Sequence, residues 1–253
     1  MIDVKLDVQS TASSFHLPLD ECPKTAEERE YMSNGPYDSV VGSLMYVIFY
    51  TCLDICFAVE MITRYQVNLG LKHWQAVKHI LRYLKRTRDY MLIYSDENLT
   101  PVRYTDSDFQ TYKDLRKSMS GNVFVLGRGA IIWRSVKITC TANSTMEVEY
   151  VVASEATKEA ISLQKFLTDL IVIPGMKKAI TLYCDNSVAI ANTKETRSHR
   201  GTKHIDRKYH LIREAVVEGI VNVLKVASED NNLADLFTKT LVTRSFNKDI
   251  EDM

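Results

Sequence analysis

Four acidic residues, far apart in the chain, sit where remote segments can converge. Asp106 ends a strand-like run in YTDSD, and Glu149 lies in the first turns of a helix-like run in STMEVEY. Asp185 ends a second strand-like run in LYCDN, and Asp235 opens a helix-like run in NNLAD. Strand ends and helix starts are where distant parts of a sheet domain meet in one crevice. Carboxylates gathered there repel one another unless positive charge lies between them. Magnesium is a hard ion that takes carboxylate and phosphate oxygens. Two such ions about 4 Å apart can activate water against a phosphodiester and stabilise the departing 3′-oxygen. The expectation is a centre in which Asp106, Glu149, Asp185 and Asp235 hold two Mg²⁺, with Mn²⁺ able to substitute. The competing reading is ordinary: the chain has 32 acidic residues, and acids at turns and helix starts are common. Spacing alone leaves both open.

The elements that would carry these residues follow from periodicity. A lead strand YMLIYS is followed by three β-rich runs, PVRYTD, GNVFVLG and AIIWRSVKITC, with Gly127-Arg128-Gly129 as a hairpin turn between the last two. A long helix is expected from about Met146 to Leu170, stopped by Pro174-Gly175, then a strand AITLYCD and a short helix from Asn186. A basic loop RSHRGTK leads into a helix HIDRKYHLIREAVVEG, a strand GIVNVLKVAS and a last helix NNLADLFTKTL. This order predicts an α/β domain with an antiparallel front half over residues 95–245. Upstream, residues 36–92 read as helical, and residues 1–35 as an extended lead-in with at most a short helix. In HWQAVKHILRYLKRT, the residues Trp74, Val77, Ile80, Leu81 and Leu84 recur at helical spacing.

Composition narrows the function. The 253 residues are 45% hydrophobic and 25% charged, enough to bury a full core in one or two domains. Formal net charge is zero, which excludes a histone-like binder and leaves nucleic-acid contact to local basic clusters. Five scattered cysteines form neither a disulfide framework nor a zinc knuckle, so a reducing, intracellular setting is expected. The opening MIDVKLDVQS lacks the apolar stretch of a secretory signal. The apolar run from Ser43 to Ile62 is interrupted by Asp54 and Glu60, and a charge near mid-bilayer costs ~3 kcal/mol, so a buried helix is expected.

Nine blocks occur in fixed order: VGSLMY, HWQAVKHILRYLKRT, YTDSDF, SMSGNVF, IIWRS, EVEYVVASEATKEA, CDNSVAI, TKHIDRKYHLIRE and ADLFTK. Together, from about Tyr37 to Lys239, they resemble the C-terminal part of copia-type (Pseudoviridae) retrotransposon Pol polyproteins. The resemblance implies the thumb-like helical tail of a reverse transcriptase up to about Tyr94. After it comes a ribonuclease H-like domain: a mixed sheet of three antiparallel strands, then parallel strands with helices. It implies metal-dependent, endonucleolytic hydrolysis of the RNA strand of RNA–DNA hybrids, leaving 5′-phosphate and 3′-hydroxyl ends. Asp106, Glu149, Asp185 and Asp235 match the four acidic motif positions in that family's order, with Asp108 and Glu147 as neighbours. The implied partners are the hybrid and the remainder of Pol (reverse transcriptase fingers and palm), with no membrane and no small-molecule cofactor. The implied location is intracellular, in cytoplasmic virus-like particles with a nuclear phase.

The chain departs from the family pattern in places. Thr51-Cys52-Leu53-Asp54 stands where Thr-Arg-Pro-Asp is usual, Phe109 replaces a Trp, and Asn143 precedes Ser144 where Leu is common. The polymerase motif Tyr-x-Asp-Asp is absent, so this chain does not polymerise alone. Many cellular relatives carry a His shortly before the final Asp; here no His follows His210. A basic stretch runs from Arg197 to Arg213, in which Arg197, Arg200, Lys203 and Lys208 are candidate phosphate contacts, with Lys78 and Arg82 upstream. The ordinary alternative is a solvated helix face paired to Glu214 and Glu218. A catalytically dead remnant that keeps the fold is the rival to an active enzyme.

Overall fold

The computed structural model describes residues 7–11, 17–33, 35–95, 99–112, 117–138, 145–170, 178–185, 187, 190, 203–226 and 232–253. The chain divides into two compact units: Met1–Leu92 with Lys239–Glu251, and Ile93–Thr238 with Asp252–Met253.

The first unit is helical, with α1 (Ala26–Ser33), α2 (Tyr37–Tyr50), α3 (Cys56–Thr63), α4 (Leu71–Arg86) and α7 (Thr243–Glu251). Helix α1 starts with a reciprocal cap. The Glu28 N–H donates to Thr25 Oγ1 (3.2 Å), and the Thr25 N–H to Glu28 Oε2 (3.2 Å). The apolar run from Ser43 to Ile62 is broken by a 3₁₀ turn, Leu53–Ile55, and among the described residues no helix is long and apolar enough to cross a membrane. Helix α4 is rotated from the face expected. It buries His73, Ala76, Val77, Ile80 and Tyr83, whereas Trp74, Leu81 and Leu84 are half-buried. Polar anchors set this rotation. His73 accepts the Gly70 N–H (2.7 Å) and stacks on Tyr65, while the Tyr83 hydroxyl donates to Asp54. Burial lowers the His73 pKa to about 4, so the ring is neutral at physiological pH.

The second unit holds a five-stranded sheet: β1 (Val102–Tyr112), β2 (Lys117–Leu126), β3 (Gly129–Lys137), β4 (Ile180–Cys184) and β5 (Val221–Lys225). The spatial order is β3-β2-β1-β4-β5; β1, β2 and β3 are antiparallel, and β1, β4 and β5 run parallel. This is the ribonuclease H-like topology that the sequence leads one to expect. The β2–β3 turn has positive φ at both Gly127 (55°) and Arg128 (67°), the geometry that suits a two-residue hairpin. The expected lead strand YMLIYS is not a strand. It is irregular chain that touches the hairpin through the Ser95 N–H to Gly127 O (2.7 Å) and the Tyr94 hydroxyl to Ala130 O (2.8 Å). The expected last helix is a five-residue 3₁₀ turn, Leu233–Phe237, and the helix comes later, as α7.

One face of the sheet is covered by α5 (Thr145–Asp169) and α6 (Lys203–Val217). Ala153, Ala156 and Ala160 line α5 where it meets Phe124, Ile180 and Leu182, and these small residues let the helix approach closely. Arg103 of β1 points into this layer, fully buried. Its guanidinium donates to Ala156 O (2.9 Å), pairs with Glu159 (2.7 Å) and lies 4.4 Å from the Phe124 ring centre. Burial lowers its pKa to about 10, with Glu159 opposing the shift, so it stays charged at neutral pH. Removing one partner of a buried pair strands the other charge. Glu159→Ala is therefore expected to destabilise by ~3 kcal/mol in urea unfolding. Arg134→Ala, which removes the exposed partner 3.5 Å from the same carboxylate, is expected to cost less than ~1 kcal/mol.

Candidate metal centre

Register sets side by side the two strands that lead to the first pair of carboxylates. In the parallel β1–β4 ladder Tyr104 pairs with Tyr183, and their rings stack 5.0 Å apart on one face. Two residues further along each chain come Asp106 and Asp185. Asp106 is still within β1, whereas Asp185 directly follows the last residue of β4, Cys184. Thr105 braces this end, its hydroxyl donating to Tyr183 O (3.0 Å).

Glu149 comes from the other layer, in the first turns of α5. The Ser107 hydroxyl donates to its Oε1, and the Cys184 thiol, 3.5 Å away, to its Oε2. Oxygen atoms of Glu149 and Asp185 and the sulfur of Cys184 all lie within 4.8 Å of one another. Glu149 is 5% exposed and Asp106 2%, whereas Asp185 is exposed. Burial pushes the Glu149 pKa up to about 7; the charges of Asp185 and Asp106 raise it further, and the bonds from Ser107 and Cys184 oppose the rise.

Asp235 is half-buried in the 3₁₀ turn, which packs against β1 and β2. The turn is capped by Asn232, whose side-chain oxygen accepts the Ala234 N–H (3.2 Å) and whose amide donates to Thr105 O (2.9 Å). After the turn, the Thr238 hydroxyl donates to Asp106. Thus β1 touches the segments carrying each of the other three acids. Among the described residues, the donor atoms that meet are those of Glu149, Asp185 and Cys184, without Asp106 or Asp235; carboxylate oxygens are the donors that hard divalent cations such as Mg²⁺ or Mn²⁺ take.

Ser107, Cys184 and Thr238 are the functional side chains missed by reading the sequence. Each stands within quoted blocks (YTDSDF, CDNSVAI, ADLFTK), and their adjacency to the acids was the available signal. The expected nucleic-acid contacts fare unevenly. Arg197 and Arg200 lie outside the described residues, Lys203 is the first residue of α6, and Lys208 is half-buried on it. Lys78 is exposed on α4, 5.5 Å from the Trp74 ring. Arg82 is held by Asp7 (2.6 Å), which also contacts His79 (3.0 Å), so its charge is already paired.

Comparison with known proteins decides the family. The chain is 42% identical over 240 residues to the Retrovirus-related Pol polyprotein from transposon TNT 1-94 of Nicotiana tabacum, covering 94% of this chain and 18% of that protein. It is 31% identical over 239 residues to the polyprotein from transposon RE2 of Arabidopsis thaliana, covering 93% of this chain and 16% of the relative. The chain belongs to the copia-type retrotransposon Pol family. It spans less than a fifth of the length of these Pol relatives. A 133-residue stretch is also 39% identical to Secreted RxLR effector protein 161 of Plasmopara viticola, covering 52% of this chain and 94% of that protein. No family model matches. Among solved structures, LC11-RNase H1 is 18% identical with a TM-score of 0.40, covering 60% of this Pol segment and 96% of that chain. The N-terminal RNase H domain of rv2228c from Mycobacterium tuberculosis is 12% identical with a TM-score of 0.40, covering 61% and 98%. At those scores the likenesses add nothing to what strand order and direction already show.

The raised Glu149 pKa has a stability consequence with a definite sign. A carboxyl whose folded pKa exceeds its unfolded value stabilises the fold while protonated, and that contribution is lost as pH rises. For Glu149 the window runs from the ordinary 4.5 to about 7. In EDTA, wild type is expected to lose up to about 3 kcal/mol relative to Glu149→Gln across this window, read as the difference between their unfolding curves.

Proposed function

We propose that this Pol segment is a metal-dependent ribonuclease that hydrolyses the RNA strand of RNA–DNA hybrids endonucleolytically, with Asp106, Glu149, Asp185 and Asp235 as its metal-holding residues. The observation that carries the reading is the meeting of Glu149, Cys184 and Asp185 donor atoms within 4.8 Å, with the charge of Asp106 felt by Glu149. When bound, two divalent ions supply activation of the attacking water and stabilisation of the leaving 3′-oxygen. The chain's own part is to hold the carboxylates in place and to accept the phosphodiester between them. Glu149 Oε1 and Oε2 are kept in position by Ser107 and Cys184, and Asp106 by Thr238. Glu149 sits close to half-protonated at neutral pH, so gathering positive charge beside it releases a proton from its carboxyl. Asp185, exposed at the strand end, faces solvent where substrate would enter.

The hybrid would be bound by shape and by phosphate and 2′-OH contacts rather than by base readout. Lys78, Lys203 and Lys208, with Arg197 and Arg200, are the proposed phosphate contacts, and Arg82 would have to leave Asp7 to join them. The remainder of Pol is the proposed covalent neighbour, and virus-like particles the proposed setting.

The test is cleavage of an end-labelled RNA–DNA hybrid by the purified chain in Mg²⁺, in Mn²⁺ and in EDTA. Cutting with either ion, none in EDTA, and a fall of about two orders of magnitude or more in Asp185→Asn is the expected result. A folded wild type that cuts in neither ion overturns the activity and leaves a remnant with the fold alone.

A further inference from the structure

Asp106 is almost wholly buried, and a carboxylate in that position is oriented by whatever donates to it. Its partner across the β1–β2 ladder is Gly121. A Cβ on Gly121 would meet Thr238 Cγ2 at 2.7 Å, Ala234 O at 2.8 Å and Phe237 Cβ at 2.8 Å. The missing side chain is therefore the space into which the Asp235-bearing turn settles. From that turn the Thr238 hydroxyl, itself fully buried, donates to Asp106 Oδ2 and lies 3.3 Å from the Asp235 carbonyl. The hydroxyl has one proton, which goes to the charged carboxylate. Two further bonds fix the turn: Asn232 to Thr105 O (2.9 Å) and the Ser135 hydroxyl to Phe237 O (2.6 Å). The first ties the turn to β1 and the second ties it to β3.

We infer that Thr238 is a positioning residue of the metal centre, orienting the Asp106 carboxylate and setting its separation from Asp235, with Gly121 providing the room that its placement requires. The inference rests on the proposed metal-holding role of those two acids. A hydroxyl donating to a carboxylate that would hold an ion is the outer-shell arrangement that orients such ligands and tunes metal sites. The alternative is a purely structural role, in which Thr238 packs the turn and its hydroxyl merely satisfies a buried acid.

The experiment is Mn²⁺ binding by electron paramagnetic resonance on the full chain, for wild type, Thr238→Val, Thr238→Ser, Thr238→Ala and Gly121→Ala, with hybrid cleavage measured in parallel. Thr238→Val keeps the volume and removes the donor; it is expected to weaken Mn²⁺ binding about 10- to 100-fold, with kcat falling and KM for hybrid unchanged. Thr238→Ser is expected to restore both. Gly121→Ala is expected to weaken Mn²⁺ binding through displacement of the turn. If Thr238→Val does not fold, Thr238→Ala against Thr238→Ser carries the same comparison. Equal Mn²⁺ binding in wild type and the hydroxyl-free variant, or equal loss in Thr238→Ser, overturns the positioning role while the metal reading stands. A wild type that binds no Mn²⁺ overturns both. A wild type that binds Mn²⁺ but cuts nothing leaves the positioning role decided by the binding comparison.

Discussion

The cost of burying carboxylates at one end of the β1–β4 ladder shapes this end of the second unit. Asp106 and Glu149 are each nearly inaccessible to water, and Thr238 donates to the first, Ser107 and Cys184 to the second. Neutral donors lessen the cost of a buried negative charge without cancelling it. The raised Glu149 pKa reflects that cost, burial first and the charges of Asp185 and Asp106 after it.

The contrast with Arg103 sharpens the point. Three residues before Asp106 on the same strand, the chain buries a positive charge on the opposite face and does supply it with a partner, Glu159. Burying ions is therefore not avoided in this sheet; pairing is provided where structure alone is at stake. The α5 face carries this charge pair beneath the Phe124 ring.

Much of this was legible in the sequence, and the limits have physical causes. Strand runs such as GNVFVLG and the Gly127-Arg128-Gly129 turn announce themselves through alternation and positive-φ residues, so the antiparallel front of the sheet was readable. The four acids were readable only because the blocks around them resemble a family, since strand ends alone do not distinguish them from ordinary turn acids. What escaped was set by tertiary contact. YMLIYS has strand composition, but its backbone bonds the hairpin through the Ser95 N–H to the Gly127 carbonyl and closes a turn through the Tyr90 N–H to Thr87 O. NNLADLFTKTL has helical periodicity, yet it is held by Asn232, Gly121 and Ser135 into a tight 3₁₀ turn. In α4 the polar anchors His73 and Tyr83 overrode the apolar stripe through Trp74 and Leu81. Arg82 looked available until Asp7, far away in sequence, was found against it.

The position of Arg103 and Asp106 on one strand has a consequence for motion. β1 is central, flanked by β2 and β4, and is tied to α5 through Arg103 and Ser107 and to the 3₁₀ turn through Thr105 and Asp106. A segment fastened to every layer around it has no cheap local opening, so its amides should exchange with solvent only when the whole unit unfolds. Asp185, by contrast, sits exposed at the end of a five-residue strand. The site thus joins a rigid anvil on β1 to an accessible rim at Asp185, and local opening is cheapest on the rim's side.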